Sequence, residues 1–277
     1  MGKNSRGSIA LAAILVVATL ATTFFVASEY NLLGAIIGVE TISSCNIAVY
    51  NSIANIAHDF VCDNENGFVV KRDNLEINCQ NHSITCINCQ SNTSTNFSGF
   101  VLTNRENVTI KNCRIYGFDH GIAMDGAGTS HTALSNLIDN NTQSIYINGT
   151  YGHLISLNTF NNSNLTITNV NNTDAFTGDV NSTSFNTSDL YDRSPLLLYN
   201  ASVIYDNKFM GDHNVITDAL SYVYWNVAPV ELWTINQSNI VGGHYLGGNY
   251  WETYGGKDID GDGLGNTETP HRTNESI

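Results

Sequence analysis

Three carboxylates at alternate positions, Asp258, Asp260 and Asp262, are followed by Gly263 and by Asn266. Alternate side chains in a tight loop converge on one cation, and the glycine permits the turn they need. The segment is therefore the first half of an EF-hand-like Ca²⁺ loop. Asn266 stands where a further oxygen ligand is needed, but Thr269 occupies the place of the usual bidentate glutamate. The competing reading is an acidic, glycine-rich turn with no metal. His131 and His153 lie at the same offset before an asparagine, and Met124 or His120 can join them as donors for copper. Surface histidines on a repeated scaffold explain the same pattern without a metal. Cys86-Ile87-Asn88-Cys89 has zinc or redox spacing, but with only one such pair the simpler reading is that each forms a disulfide elsewhere, with other cysteines.

Sugar chemistry is the other theme. All three tryptophans fall between Ser221 and Trp251. Trp225, Trp233, Tyr250 and Trp251 offer flat faces for stacking on pyranose rings, or equally for closing the end of a core. Asn172-Thr173-Asp174 matches the first catalytic triplet of the polygalacturonases, yet that family's other motifs are missing. Asp119 and Asp139 can be nominated as a glycosidase pair, but nothing in the sequence selects them. No catalytic set is complete, so a non-catalytic structural, adhesive or glycan-binding role leads. A carbohydrate-active enzyme, either polysaccharide lyase or glycoside hydrolase, is the alternative, and copper handling is a second.

The elements that must position these groups announce themselves by a repeat. Asn88, Asn112 and Asn136 are 24 residues apart, Asn158 follows 22 later and Asn207 a further 49. Each sits in a short run rich in Ile, Leu, Thr or Phe, and the gaps are filled by turn-forming Asn, Gly, Ser and Asp. Self-similarity at this period marks a unit that cannot bury its apolar side alone and must stack. The chain therefore reads as all-β, a parallel β-helix of 22–24-residue rungs, with inward asparagines bonding rung to rung. On this register Cys89 should stack on Cys113, and His131 on His153. The apolar offsets change after Asn136, which points to a shift or bulge there. Thr168 to Ser194 reads as a loop or one extra, poorly written rung.

Export is written at the N-terminus. Ile9 to Val26 is an unbroken apolar run preceded by Lys3 and Arg6. This fits an uncleaved membrane anchor with an outside body, a signal cleaved after Ser28, or a pilin-like signal cut after Gly7. Residues 1–40 are thus anchor and spacer, 41–250 the coil with a cysteine-rich cap, and 251–277 an acidic tail. Fourteen Asn-x-Ser/Thr sequons license glycosylation. Six cysteines, Cys45, Cys62, Cys79, Cys86, Cys89 and Cys113, make disulfides the default in an exported chain. A net charge of −14, with 11 basic residues against 25 acidic, argues against a nucleic-acid partner. The expected partners are the membrane, through the N-terminal helix, and polysaccharide or other surface proteins.

The ladder, the segment Leu75-Glu-Ile-Asn-Cys-Gln-Asn-His-Ser-Ile-Thr85 and the ending Gly247 to Pro270 resemble the NosD-type right-handed parallel β-helix proteins. The resemblance covers roughly Thr41 to Pro270. It implies a right-handed coil in a secreted, mostly archaeal, surface protein. The family name implies a periplasmic copper-related role, but no residues here map onto a defined copper site. Should the acidic loop hold calcium, EDTA will lower the melting temperature, and Asp260→Ala will abolish that effect. An unchanged melting curve on chelation removes the site.

Overall fold

The computed structural model describes residues 39–90, 96–168, 202–211, 215–217, 223–225, 230–231, 239–261 and 265–267. The expected N-terminal helix and the long insert lie outside them. No helix among the described residues is long and apolar enough to cross a membrane.

The chain winds as a parallel β-helix. Each rung visits three sheets in turn, and every strand pairs in parallel with its counterpart one rung away. The first sheet has eight strands, running from Val39–Ile42 through Thr132–Leu134 and Leu154–Ser156 to Val223–Tyr224. The second has seven, from Phe60–Asp63 through Arg114–Tyr116 to Tyr250–Trp251. The third, also of seven, runs from Ile47–Val49 through His120–Asp125 to Val215–Thr217. A short antiparallel pair, Val230–Glu231 with Tyr245–Leu246, stands apart.

Alternation sorts the side chains. Along the first sheet Ile77, Ile110, Ala133, Ile155 and Ile204 form one inward column, each fully buried. The second contributes Ile84, Ile115, Ile138, Phe160 and Phe209. Each isoleucine and phenylalanine of these columns gains roughly 1.5–3 kcal/mol from leaving water. Corners need residues that tolerate a left-handed backbone, and among the described residues ten of the fifteen non-glycine residues at positive φ are asparagines. Part of the asparagine-rich composition is therefore a corner requirement. Gly117, with φ of 76°, admits no other residue, because a Cβ there would lie 2.4 Å from the Cys86 carbonyl oxygen.

The asparagine ladder is present, but its membership differs from the sequence expectation. Asn136, Asn158 and Asn207 are fully or almost fully buried, and Asn249 extends the ladder. Each Nδ2 donates to the Oδ1 of the next member at 3.0 Å. Asn112 is instead a corner residue whose Nδ2 donates to Asn78, and Asn88 is an exposed corner residue bonded to Asp63. The rung step below Asn136 is 23 residues, so Cys113 takes the ladder place and donates its N–H to Asn136 Oδ1 at 2.9 Å. The apparent 24-residue spacing slipped by one, enough to exchange an inward position for a corner.

The cysteine pairing is corrected, and the readings of the long interval and of the irregularity are narrowed. The bridges are Cys45–Cys62, Cys79–Cys113 and Cys86–Cys89, so Cys113 pairs with Cys79 and not with Cys89, and Cys86 and Cys89 bond each other instead of partners elsewhere. Leu154–Ser156 pairs directly with Ser202–Tyr205, so the 49-residue interval adds no rung to the first sheet. The register irregularity lies between Gln143 and Ile145 in the third sheet, while the first sheet's inward column runs through Asn136 unshifted.

The last rung is capped by residues 239–249. Asp206, 1% exposed, occupies the left-handed corner just before Asn207 and accepts the Ile240 N–H at 2.9 Å through Oδ1. Its Oδ2 is buried and takes no hydrogen bond. Burial pushes the carboxyl up to about 6, and the Ile240 N–H only partly opposes this.

Asn158→Ala should lower the unfolding free energy by about 3 kcal/mol in urea titrations, because it strands two backbone carbonyls and breaks both ladder steps. A loss below about 1 kcal/mol would mean that water replaces the ladder. Asp206 carries the opposite sign to a paired carboxylate. Its folded pKa is raised, so stability is highest when it is protonated and falls as pH rises from its unfolded value of 3.8 to about 6. Acidification from pH 7 to pH 5 should recover roughly 1 kcal/mol through this group. Asp206→Asn, which keeps an oxygen for Ile240, should remove that increment and raise the melting temperature at neutral pH.

Candidate functional site

The outer face of the second sheet is where the coil lines up outward side chains in order, Arg114 and Tyr250 exposed and the rest half-buried. Its inward column alternates with two outward ones. Ser83, Arg114, Leu137, Thr159, Lys208 and Tyr250 stack in one, and Thr85, Tyr116, Asp139, Asn161 and Met210 in the other. Parallel pairing sets successive members about 4.8 Å apart, so the columns form straight rows along the coil axis. Tyr116 and Tyr250 stand four rungs apart, roughly 19 Å by that spacing.

The charges on this face are spread out. Lys208 Nζ lies 5.5 Å above the Tyr250 ring, and Tyr250 is 38% exposed. Asp139 Oδ1 accepts a hydrogen bond from Asn161 Nδ2 at 3.1 Å. Partial burial raises the Tyr116 hydroxyl, an effect that Arg114 opposes and that Asp139 and Asp59 reinforce. Tyr116 is therefore a neutral hydroxyl at physiological pH. The face offers hydroxyls, amides, two cations and two rings in register, which suits a long neutral or mildly charged polymer.

The aromatic residues named from sequence divide by strand alternation. Trp251 points inward and stacks on Phe209 at 4.1 Å with rings 7° apart, continuing the Phe160–Phe209 stack. Trp225, partly buried, packs 6.1 Å from Trp251. These rings close the core, whereas Tyr250, one residue away, faces out. Trp233 lies outside the described residues.

The candidate metal donors are dispersed. His131 and His153 stack inside the coil, rings 5.2 Å and 3° apart. His131 Nδ1 accepts the Val108 N–H at 3.3 Å, and His153 Nδ1 accepts the His131 N–H at 3.2 Å. His153 Nε2, necessarily the protonated nitrogen of a neutral ring, lies 2.8 Å from Thr150 Oγ1. His120 is elsewhere, stacked on Tyr146 with centroids 4.6 Å apart and 3.5 Å from Ser98 Oγ. Desolvation lowers its pKa against the pull of Asp119 and Asp125. Met124 is buried in the third sheet's inward column.

In the acidic loop, Asp258 Oδ1 accepts the Gly261 N–H at 2.7 Å and Asn266 Oδ1 the Ile259 N–H at 2.6 Å. Asp260 is exposed, and Asp262 lies outside the described residues. Among the described residues no three His, Cys, Asp or Glu side chains gather as a metal site. The nominated carboxylates brace the coil: Asp119 Oδ2 accepts the Phe97 N–H at 2.9 Å, while Asp139 holds Asn161 as above. Asn172-Thr173-Asp174 lies outside the described residues.

Sequence reasoning missed Asp206 and the outward rows. The only signal for Asp206 was an acid at the corner where the preceding rungs carry Ser135 and Leu157. The rows are visible only after the rung register is known.

No curated protein and no solved structure matches the chain. The family model described as "Periplasmic copper-binding protein (NosD)" matches residues 39–256. That span takes in the rungs, the ladder and the aromatic closure, and with it the chain belongs to the NosD family.

Proposed function

We propose that the chain is a membrane-anchored, non-catalytic, extracytoplasmic β-helix that binds polysaccharide along the outer face of its second sheet. The observation that carries this reading is the pair of outward rows running from Ser83 to Tyr250 and from Thr85 to Met210. A polysaccharide repeats its hydroxyls along a line, as this face repeats its donors, and tyrosine rings near either end supply apolar faces for the sugar C–H surface. The periplasmic description of the family supports an exported body, and the apolar run at residues 9–26 motivates the anchor. In this reading the coil is right-handed, as parallel crossovers almost always are.

The family description also favours copper handling. The described residues do not fit it. All six cysteines are in disulfides, and the stacked imidazoles spend their Nδ1 lone pairs on backbone N–H groups. Copper there would displace hydrogen bonds that hold adjacent rungs.

Affinity electrophoresis against a panel of cell-envelope polysaccharides tests the leading reading. At least one polymer should retard the protein, and Tyr116→Ala or Tyr250→Ala should each weaken retention roughly tenfold with the fold intact. Release of new reducing ends or unsaturated products by purified protein would refute the non-catalytic part. One copper per chain retained after exhaustive dialysis would move the assignment to metal handling.

A further inference from the structure

Seven of the sequons fall on described residues, at Asn81, Asn96, Asn107, Asn140, Asn148, Asn161 and Asn164. A glycosyltransferase acting on the folded chain needs two groups together. One is the asparagine Nδ2 as nucleophile, and the other is the hydroxyl two residues on, which defines the sequon.

The fold withholds one or both at six of the seven. The partner hydroxyl residues of Asn96, Asn148, Asn161 and Asn164 are Ser98, Thr150, Ser163 and Thr166, exposed by only 3%, 0%, 4% and 6%. At Asn81 the partner Ser83 is half-buried, and its hydroxyl is hydrogen-bonded to the Asp59 carboxylate. At Asn107 the Nδ2 itself is committed, donating to Asn74 Oδ1 at 2.7 Å, and Thr109 is half-buried.

Asn140-Asn141-Thr142 is different. Asn140 and Thr142 are both exposed, and only the middle residue, Asn141, is buried. Asn140 sits at a left-handed corner with φ of 52°. Its backbone is clamped: the N–H donates to the Asn161 carbonyl at 3.1 Å, and its carbonyl accepts Gln90 Nε2 at 2.6 Å. Its side-chain amide takes no hydrogen bond among the described residues. Beside it opens a groove of 350 Å³ whose walls include Gln90, Thr142, Asn162 and Asn164. Those walls are amides and hydroxyls without a charge, a lining that matches a neutral sugar.

We propose that Asn140 is the site at which the folded coil accepts an N-linked glycan, with the first sugar seated in the adjoining groove. The new bond joins Asn140 Nδ2 to the anomeric carbon of a lipid-linked oligosaccharide. The anomeric C–O bond breaks, the lipid phosphate leaves with its electron pair, and Nδ2 gives up one proton. The donor and a membrane oligosaccharyltransferase are the co-reactants, and no redox step is involved. The attached nitrogen keeps one N–H, so nothing in the rung pairing is lost.

The test uses the full chain, made in a host without N-glycosylation and incubated with an oligosaccharyltransferase and its lipid-linked donor. Site occupancy is read by peptide mass spectrometry, with a reduced and denatured sample of the same chain as the control in which the enzyme reaches every sequon. In the folded sample Asn140 should be modified at least tenfold faster than Asn148, Asn161 or Asn164, a difference that disappears on denaturation. Thr142→Ala, at an exposed position, should abolish modification of Asn140 without changing the melting curve. Folded chain that is modified at Asn148, Asn161 or Asn164 as fast as at Asn140 would overturn the proposal. So would a folded Asn140 that stays unmodified while the denatured chain is modified there.

Discussion

A side-chain oxygen that accepts the backbone N–H of a neighbouring rung is the interaction on which this coil depends. Sheets satisfy the peptide groups along the strands, but every rung also turns three corners, where some N–H groups meet no peptide carbonyl of the neighbouring rung. Asp59, Asn66, Asp73, Asn104, Asp119 and Asn141 each place an Oδ atom on an N–H of an adjacent rung, at 2.7–3.0 Å. A buried donor left unmet costs about as much as several buried methylenes gain, so these short side chains decide whether the rung can close. The asparagines inside the coil extend the same solution to the interior. There Asn136, Asn158 and Asn207 meet the peptide groups of the corner from the core side.

This demand explains much of the composition. With Asn and Asp spent on corners, few charged residues are needed for solubility, and those present are scattered. The carboxylates that looked free to do chemistry are for the most part already accepting hydrogen bonds. Asp206 also accepts one, from the Ile240 N–H, but the cap covers its second oxygen without giving it a donor. Its raised pKa is the electrostatic cost of seating the cap over a corner that earlier rungs leave open to solvent.

The repeat, the parallel β-helix, its stacked histidines and the disulfide chemistry were legible from residue type and period. His131 and His153 were assigned to neighbouring rungs because they keep a constant offset from true ladder members, Asn136 and Asn158. The register below Asn136 was not legible. Asn112 and Cys113 are adjacent, both are plausible at an inward corner, and period alone cannot choose between them. The cysteine pairing inherited that slip. Nor could the sequence separate Tyr250 from Trp251, whose rings are similar in chemistry and opposite in direction. Asn249 escaped notice because Tyr250 and Trp251 that follow it form a strand reached only after the long excursion from Met210. The N-terminal segment, Trp233 and Asp262 belong to parts of the chain about which the described residues are silent.

The interior ladder also has a direction. Each Oδ1 accepts from the rung before and each Nδ2 donates to the ladder oxygen of the rung after, from the Cys113 N–H at the bottom to Asn249 at the top. Each Nδ2 also donates back to a carbonyl of the rung before. Every rung is thus an interchangeable link with one receiving and one giving end. A gene that duplicates or loses a whole rung between Asn136 and Asn249 leaves both neighbours correctly matched, and the corners absorb small differences in length, since steps of 23 residues to Asn136 and 22 to Asn158 both keep the ladder joined. What each rung must keep is its pair of links and not a fixed number of residues, and the 49-residue interval before Asn207 leaves the links on either side joined.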